Sequence, residues 1–356
     1  MRLIPYRTVA LSALAALAAC SSPTTSLYPQ EPASALNASA ASQDAVKITA
    51  YTVPTKGVNP YDIAFGHAGN TYVTQPILNQ GAGASTYLWQ ISPTGHFTRI
   101  QPALGQTGPV GITSGKGGTV YFGLQHNGGE QIGSYDGGKV KIAQVHGTPV
   151  NAIYFLKQAA DGSLWFSDPG DYKVGHIVGG KYSLYTAPTK YCSPYGITIG
   201  SDKNVWVAEQ CPTGTGKIGR ITPAGAWKEY VLPTQSEQPF GIAAGSDRNL
   251  WYTGASVNDI GRVTTGGKIT EFSLGHIGMG FGTPTFITPG NDGALWFTVQ
   301  EANQVGRITT SGSATEYAIP GCGSQCSAVP GGITAGAGRT IWFTTITGNQ
   351  VDKVAY

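Results

Sequence analysis

Gly245-Ser-Asp-Arg-Asn-Leu-Trp-Tyr-Thr253 and the run that follows it, Asp259-Ile-Gly-Arg-Val-Thr-Thr-Gly-Gly-Lys-Ile-Thr-Glu-Phe272, recur as close copies along most of the chain. Aligned on the aromatic after the turn, the copies fall at Tyr72, Tyr121, Trp165, Trp206, Trp251, Trp296 and Trp342, with gaps of 49, 44, 41, 45, 45 and 46 residues. Seven copies at this period have the spacing of a propeller. Within one copy, the stretches Phe240 to Ala244, Leu250 to Thr253, Ile260 to Thr264 and Lys268 to Ser273 are each strand-length, with turn residues between them. Turns such as Thr265-Gly266-Gly267 and Pro223-Ala224-Gly225 are short enough only for antiparallel hairpins, so each copy is expected to be a four-stranded meander. The predicted fold is all-β, a seven-bladed β-propeller of four-stranded antiparallel blades. The repeat aromatics are expected to pack between adjacent blades, since seven equivalent rings suit a core better than a site.

The last copy is short. After Ile341-Trp-Phe-Thr344 only Gln350-Val-Asp-Lys-Val-Ala-Tyr356 is left, enough for a third strand and not a fourth. Val46-Lys-Ile-Thr-Ala-Tyr-Thr-Val-Pro54 matches the outer-strand runs Lys268-Ile-Thr-Glu-Phe-Ser-Leu274 and Ala314-Thr-Glu-Tyr-Ala-Ile-Pro320. An N-terminal strand is therefore expected to complete the last blade and close the ring.

Ahead of it, residues 1–19 carry Arg2 and Arg7 and an apolar run from Val9 to Ala19, which reads as a secretory signal too short to span a membrane stably. Leu17-Ala-Ala-Cys20 resembles a bacterial lipobox, which implies diacylation of Cys20, with several acyl chains holding the protein on a membrane. Ser21 follows in place of the Asp that retains such lipoproteins at the inner membrane, so the expected location is the bacterial cell envelope, on the outer membrane. Residues 20–45, rich in Ser, Ala, Thr, Pro and Gln, read as a flexible tether, and 46–356 as the propeller. Glycine, 51 of 356 residues, has twice its usual share, as turn-dense β structure requires. The net charge of +3 falls to +1 without Arg2 and Arg7, and no basic run is present, so nothing supports nucleic-acid binding.

Four cysteines remain beside Cys20, an even number that favours disulfides in an exported chain. Cys192 lies just before the fourth blade's inner strand and Cys211 just past its second strand, at the same end of the meander, so these two are expected to pair. Cys322 and Cys326 share one inter-blade loop and form the second expected pair. The rival is a four-cysteine zinc site, although the paired C-x₂-C spacing is missing.

The same geometry locates the channel mouth. The residue after the proline that opens each inner strand and the fourth residue counted from the repeat aromatic should be neighbours there. The first set reads Tyr61, Val110, Val150, Tyr195, Phe240, Thr285 and Gly331; the second reads Gln75, Leu124, Asp168, Glu209, Gly254, Val299 and Thr345. The expected rim is aromatic and apolar through Tyr61, Tyr195 and Phe240, either as loop packing or as a binding surface. Asp168 and Glu209 form an acidic sector, either solvated strand-end carboxylates or a site for Mg²⁺ or Ca²⁺.

Pro194-Tyr-Gly-Ile-Thr198, Ile218-Gly-Arg-Ile-Thr-Pro223, Leu295-Trp-Phe-Thr298 and Thr315-Glu-Tyr-Ala-Ile-Pro320 resemble the repeats of the streptogramin B (virginiamycin B) lyases, over roughly residues 46–356. The resemblance implies a seven-bladed propeller that opens a cyclic depsipeptide by magnesium-assisted elimination at its ester bond. It also implies a His in Pro-His-Ala/Gly-Ile and a Glu closing the Trp-Phe strand, both in the last blades. None of His67, His96, His126, His146, His176 and His276 follows a proline here, and Gly331 and Thr345 occupy the last blade's two positions. His276, in the glycine-rich loop after Leu274, and Glu209 are the remaining candidates for a base. Two functional readings follow. One is a lipid-anchored binding module for a peptide-like or other small ligand, or a protein partner; the other is an active lyase, or a metal-dependent lactonase, with a relocated site.

Overall fold

The strand-length runs fold as strands between short turns, the outer ones, such as Ile269–Ser273, partly exposed and the second ones, such as Leu295–Val299, buried at every position, because each sheet buries both faces against its neighbours in the ring. The structure, a computed structural model, describes residues 46–55, 59–76, 86–100, 108–125, 130–146, 153–275, 283–320 and 329–356. Cys20 and the rest of residues 1–45, Val150, His276, Cys322 and Cys326 lie outside the described residues. Residues Lys47–Tyr356 form one unit. They build seven four-stranded antiparallel sheets, six of them in simple chain order. Blade four runs Ser193–Ile199, Val205–Gln210, Lys217–Ile221 and Trp227–Val231 from the channel outward. In the seventh sheet, Pro330–Ala335, Thr340–Thr345 and Gln350–Ala355 are followed by Lys47–Thr52, which pairs Lys47 with Ala355 through to Thr52 with Gln350.

Packing between blades is repeated with the sequence. Trp206 is fully buried and shares a core with Ile242, Leu250, Tyr252 and Val263 of the next blade. Its other face stacks on Tyr230 of its own outer strand, centroids 5.7 Å apart; Trp251 and Phe272, and Trp296 and Tyr317, repeat the arrangement. Tyr51 does the same for Trp342, at 5.6 Å. Truncating such a ring costs about 3–5 kcal/mol. The turn before the tryptophan is set by Asp202, whose Oδ1 accepts from the Asn204 N–H and from Trp206 Nε1–H. Asp247, Asn249 and Trp251 repeat it.

A buried hydroxyl latches each of several blades to the next. Thr253, two residues after its tryptophan, accepts from Gly241 N–H and donates to the Thr285 carbonyl of blade six at 2.7 Å. Thr298 reaches the Gly331 carbonyl, Thr344 the Tyr61 carbonyl across the ring closure, and Thr74 the Val110 carbonyl. Of these acceptors, Thr285, Gly331 and Val110 sit at the register shift between the opening proline and the isoleucine three residues on, where the ladder leaves backbone groups unpaired. The Cys192–Cys211 disulfide is formed, with Cα atoms 4.2 Å apart, beside the Ser193–Gln210 rung.

Candidate functional site

The seven inner strands surround the axis, and their register fixes what points at it. Pairing each inner strand with its repeat aromatic makes Tyr61, Val110, Tyr154, Tyr195, Phe240, Thr285 and Gly331 equivalent. The blade-three member is thus Tyr154 and not Val150: Pro149 is not that blade's opening proline, since Asp161, which turns the chain as Asp202 does, counts back to Tyr154. The next position is glycine in four blades. A Cβ at Gly196 would lie 2.5 Å from the Phe240 carbonyl and one at Gly241 2.4 Å from that of Thr285, so glycine lets neighbouring inner strands close up. Blades one, three and six instead carry Asp62, Phe155 and Phe286 there.

Those larger side chains change the channel mouth. Phe155, Phe240 and Phe286 meet with centroids 5.4–5.7 Å apart, Tyr195 packs on Phe240 at 5.4 Å, and Tyr61 meets Phe286 edge-on at 6.2 Å. Together they plug the axis. Tyr61 and Phe240, expected on an open rim, are buried, and of the three expected rim aromatics Tyr195 alone stays half-exposed. Burial, then the neighbouring Tyr154 and Tyr172, pushes the Tyr195 hydroxyl up to about 12. Tyr172 meets Tyr191 edge-on at 5.7 Å, and Lys190 lies over the Tyr191 ring. Tyr172 and Tyr191 both hold positive φ, 58° and 66°, which is uncommon for a bulky residue. Tyr154, Tyr172, Tyr191 and Tyr195 thus form an aromatic patch at the proline end of blades three and four.

The expected acidic sector is not on the surface. Glu209 is fully buried inside blade four, where its Oε1 accepts from Trp227 Nε1–H at 2.9 Å. It faces Glu229, which is held by Lys217 at 2.6 Å and by the Thr189 N–H and hydroxyl. Burial first, and Glu229 second, raises Glu209 to about 8, so it is the protonated partner and can donate its O–H to Glu229. Asp168 is buried as well and accepts from the Asp171 N–H at 3.2 Å. Blade five repeats the carboxyl pair by another route. Gly254 replaces Glu209, and Glu237, entering from the preceding loop, puts its Oε1 2.4 Å from where a Gly254 Cβ would stand. Burial, then a hydrogen bond shared with Glu271, raises Glu237 to about 9. Sequence reasoning missed Glu237 because it lies outside the strands.

The last blade's two positions are equally settled. A Cβ on Gly331 would stand 2.7 Å from Thr344 Oγ1 and 2.9 Å from both the Ile346 side chain and the Tyr61 carbonyl, leaving no room for an imidazole without rearrangement. Thr345 is buried and its hydroxyl bonds to Asp352 Oδ2. These residues do not fit a magnesium ion held by last-blade side chains. Glu209, enclosed by Trp227 and Glu229 with a lysine already beside the pair, does not fit one either. Among the described residues no three His, Cys, Asp or Glu side chains converge as metal ligands.

Comparison with known proteins agrees with the fold and frames these departures. The family model for virginiamycin B lyases matches residues 35–214 and 211–356. The crystal structure of selenomethionine-substituted virginiamycin B lyase from Staphylococcus aureus is 30% identical, with 88% of this chain and 100% of that one aligned at a TM-score of 0.75. A streptogramin B lyase structure is 28% identical over 87% of this chain and 97% of its own, also at 0.75. A catalytically inactive variant of the Staphylococcus aureus enzyme with quinupristin matches at 30% identity, 88% and 100% coverage and 0.75. No individual curated protein matches.

Proposed function

This chain belongs to the virginiamycin B lyase family, and from that premise we propose that it uses the family propeller to bind a peptide-like ligand or a protein partner without carrying out the elimination. The observation that carries this reading is the last blade: Gly331 has no space for a larger side chain, and the Thr345 hydroxyl is spent on Asp352. An elimination needs a base within about 3 Å of the abstracted proton and a cation or donor at the oxyanion. Neither residue can supply them. The tyrosine patch supports binding. Tyr172, Tyr191 and Tyr195 offer rigid amphipathic area at low entropic cost, and the positive φ of two of them is strain of the kind that collects at ligand sites.

Quinupristin, found with the inactive Staphylococcus aureus variant, is the first ligand to try. Calorimetric titration with quinupristin is expected to show saturable binding, weakened about tenfold or more by the pair Tyr172→Ala and Tyr191→Ala, with the ligand recovered at its original chromatographic retention and not as the isomeric ring-opened product. Affinity left intact by that pair overturns the assignment of the patch.

The second reading, a lyase or lactonase with a relocated base, has Glu209 as its candidate among the described residues. Burial that holds Glu209 protonated at neutral pH works against it as a base. We also propose that Cys20 carries lipid and keeps the propeller at the cell envelope. Cys20→Ser should move the protein from the membrane to the soluble fraction, and unchanged partitioning refutes the anchor.

A further inference from the structure

Beyond the aromatic plug, on the side away from the tyrosine patch, the channel is open as a cavity of about 210 Å³. Phe155 and Phe286 form its floor, and it reaches the exposed Ser114 and Pro289 near the tryptophan-turn end of the blades. One rung of the inner strands, the residues paired with the repeat aromatics, rings this cavity. Threonine occupies the rung in four blades, as Thr113, Thr198, Thr288 and Thr334, and in blade three it is Lys157. Among the described residues, Lys157 is the only lysine or arginine in the lining. It makes no hydrogen bond or ion pair among the described residues, and burial alone lowers its pKa. The one carboxyl in the same wall, Asp62, has both oxygens engaged, Oδ1 by the Ile63 N–H at 2.8 Å and Oδ2 by the Ile112 N–H at 3.0 Å. The side chain is half-buried and its ammonium keeps contact with water in the cavity, where a bound anion would supply the charge-assisted acceptor that the described residues do not.

We propose that this cavity is a binding site for a small organic carboxylate, which meets the Lys157 ammonium and neighbouring threonine hydroxyls while its short alkyl part lies against Ile199, Ala244 and Ile287. The space is far larger than the roughly 10–15 Å³ that a single water requires, so an acid of several heavy atoms fits. A phosphate suits the site less well. It would bring more charge than one lysine matches, find no arginine fork, and leave the apolar half of the wall uncovered. The site lies on the other side of the plug from the surface proposed above and does not depend on that proposal.

The test uses the purified full-length chain, titrated calorimetrically with sodium butyrate and, separately, with n-butanol and inorganic phosphate at matched ionic strength. Butyrate is expected to bind saturably at about millimolar strength, as one charge-assisted contact and a short chain allow. Lys157→Met is expected to weaken it about tenfold or more, and Lys157→Arg to retain most of it. Both variants should keep the parent's far-ultraviolet circular dichroism and melting temperature, because the lysine makes no bond the fold relies on. Butanol binding as tightly as butyrate, phosphate binding as tightly as butyrate, or butyrate affinity unchanged in Lys157→Met would each overturn the proposal. So would the absence of saturable butyrate binding.

Discussion

Thr253 shows how much a single side chain carries in this ring. Its hydroxyl accepts one backbone N–H of its own blade and donates to a carbonyl of the next, all of it buried. Thr253→Val keeps the shape and leaves both backbone groups unpaired, so urea unfolding should show a loss of about 1–3 kcal/mol; a variant as stable as the parent would remove the latch from the account. Glu237 carries a different signature. Its folded-state pKa of about 9 lies above the ordinary 4.5, so between these values the folded protein holds a proton that the unfolded chain releases. Stability therefore falls as pH rises across that window, and Glu209, raised to about 8, acts in the same direction. The melting temperature should be higher at pH 5 than at pH 9, with a shallower slope in Glu237→Gln; a melting temperature that climbs over this range contradicts both assignments. The latch was half legible in sequence, since threonine recurs two residues after the tryptophan, but its acceptor lies on another blade. Burial of Glu209 was illegible because Trp227 and Glu229 reach it from the outer strand. Tyr154 was hidden by Pro149, which imitates an opening proline, and the plug by Phe155 and Phe286, which stand where other blades have glycine.

At the scale of one element, the loop before blade four and its second strand are tied by Cys192–Cys211, 19 residues apart. A closed loop of this length is worth about 3 kcal/mol on chain-entropy grounds, so Cys192→Ser should lower the urea midpoint by a corresponding amount, and an unchanged midpoint would show that the bond does not constrain the unfolded chain. The pairing was legible because an antiparallel meander brings the start of its first strand and the end of its second to one place. The strand Lys47–Thr52 is the other telling element. It pairs along its whole length with Gln350–Ala355, and Tyr51 covers Trp342. Deleting residues 46–54 should expose an unpaired edge and uncover that ring, giving higher oligomers in size-exclusion chromatography; a truncated chain that stays monomeric and melts like the parent would contradict this. Its placement was readable because Ile48-Thr-Ala-Tyr51 matches the outer-strand runs Ile269-Thr-Glu-Phe272 and Ala314-Thr-Glu-Tyr317.

The unit Lys47–Tyr356 is a ring whose axis is blocked by aromatics, with a tyrosine surface on one side and a cup lined by threonine and lysine on the other. The repeat period made the ring legible, because an aromatic recurs after a turn in all seven copies, as tyrosine in the first two and tryptophan in the other five. The axis was not, since what fills it depends on positions where single blades depart from the repeat. Those departures carry the proposal that this chain binds without performing the family's elimination. The most direct test is incubation of the purified protein with a type B streptogramin and magnesium, followed by mass spectrometry and chromatography to resolve the ring-opened isomer. With Gly331 and Thr345 in the last blade and Glu209 held in a carboxyl pair, no linear product above the protein-free control is predicted. Magnesium-dependent ring opening that is lost on Glu209→Gln or His276→Ala would contradict the account and establish a relocated active site.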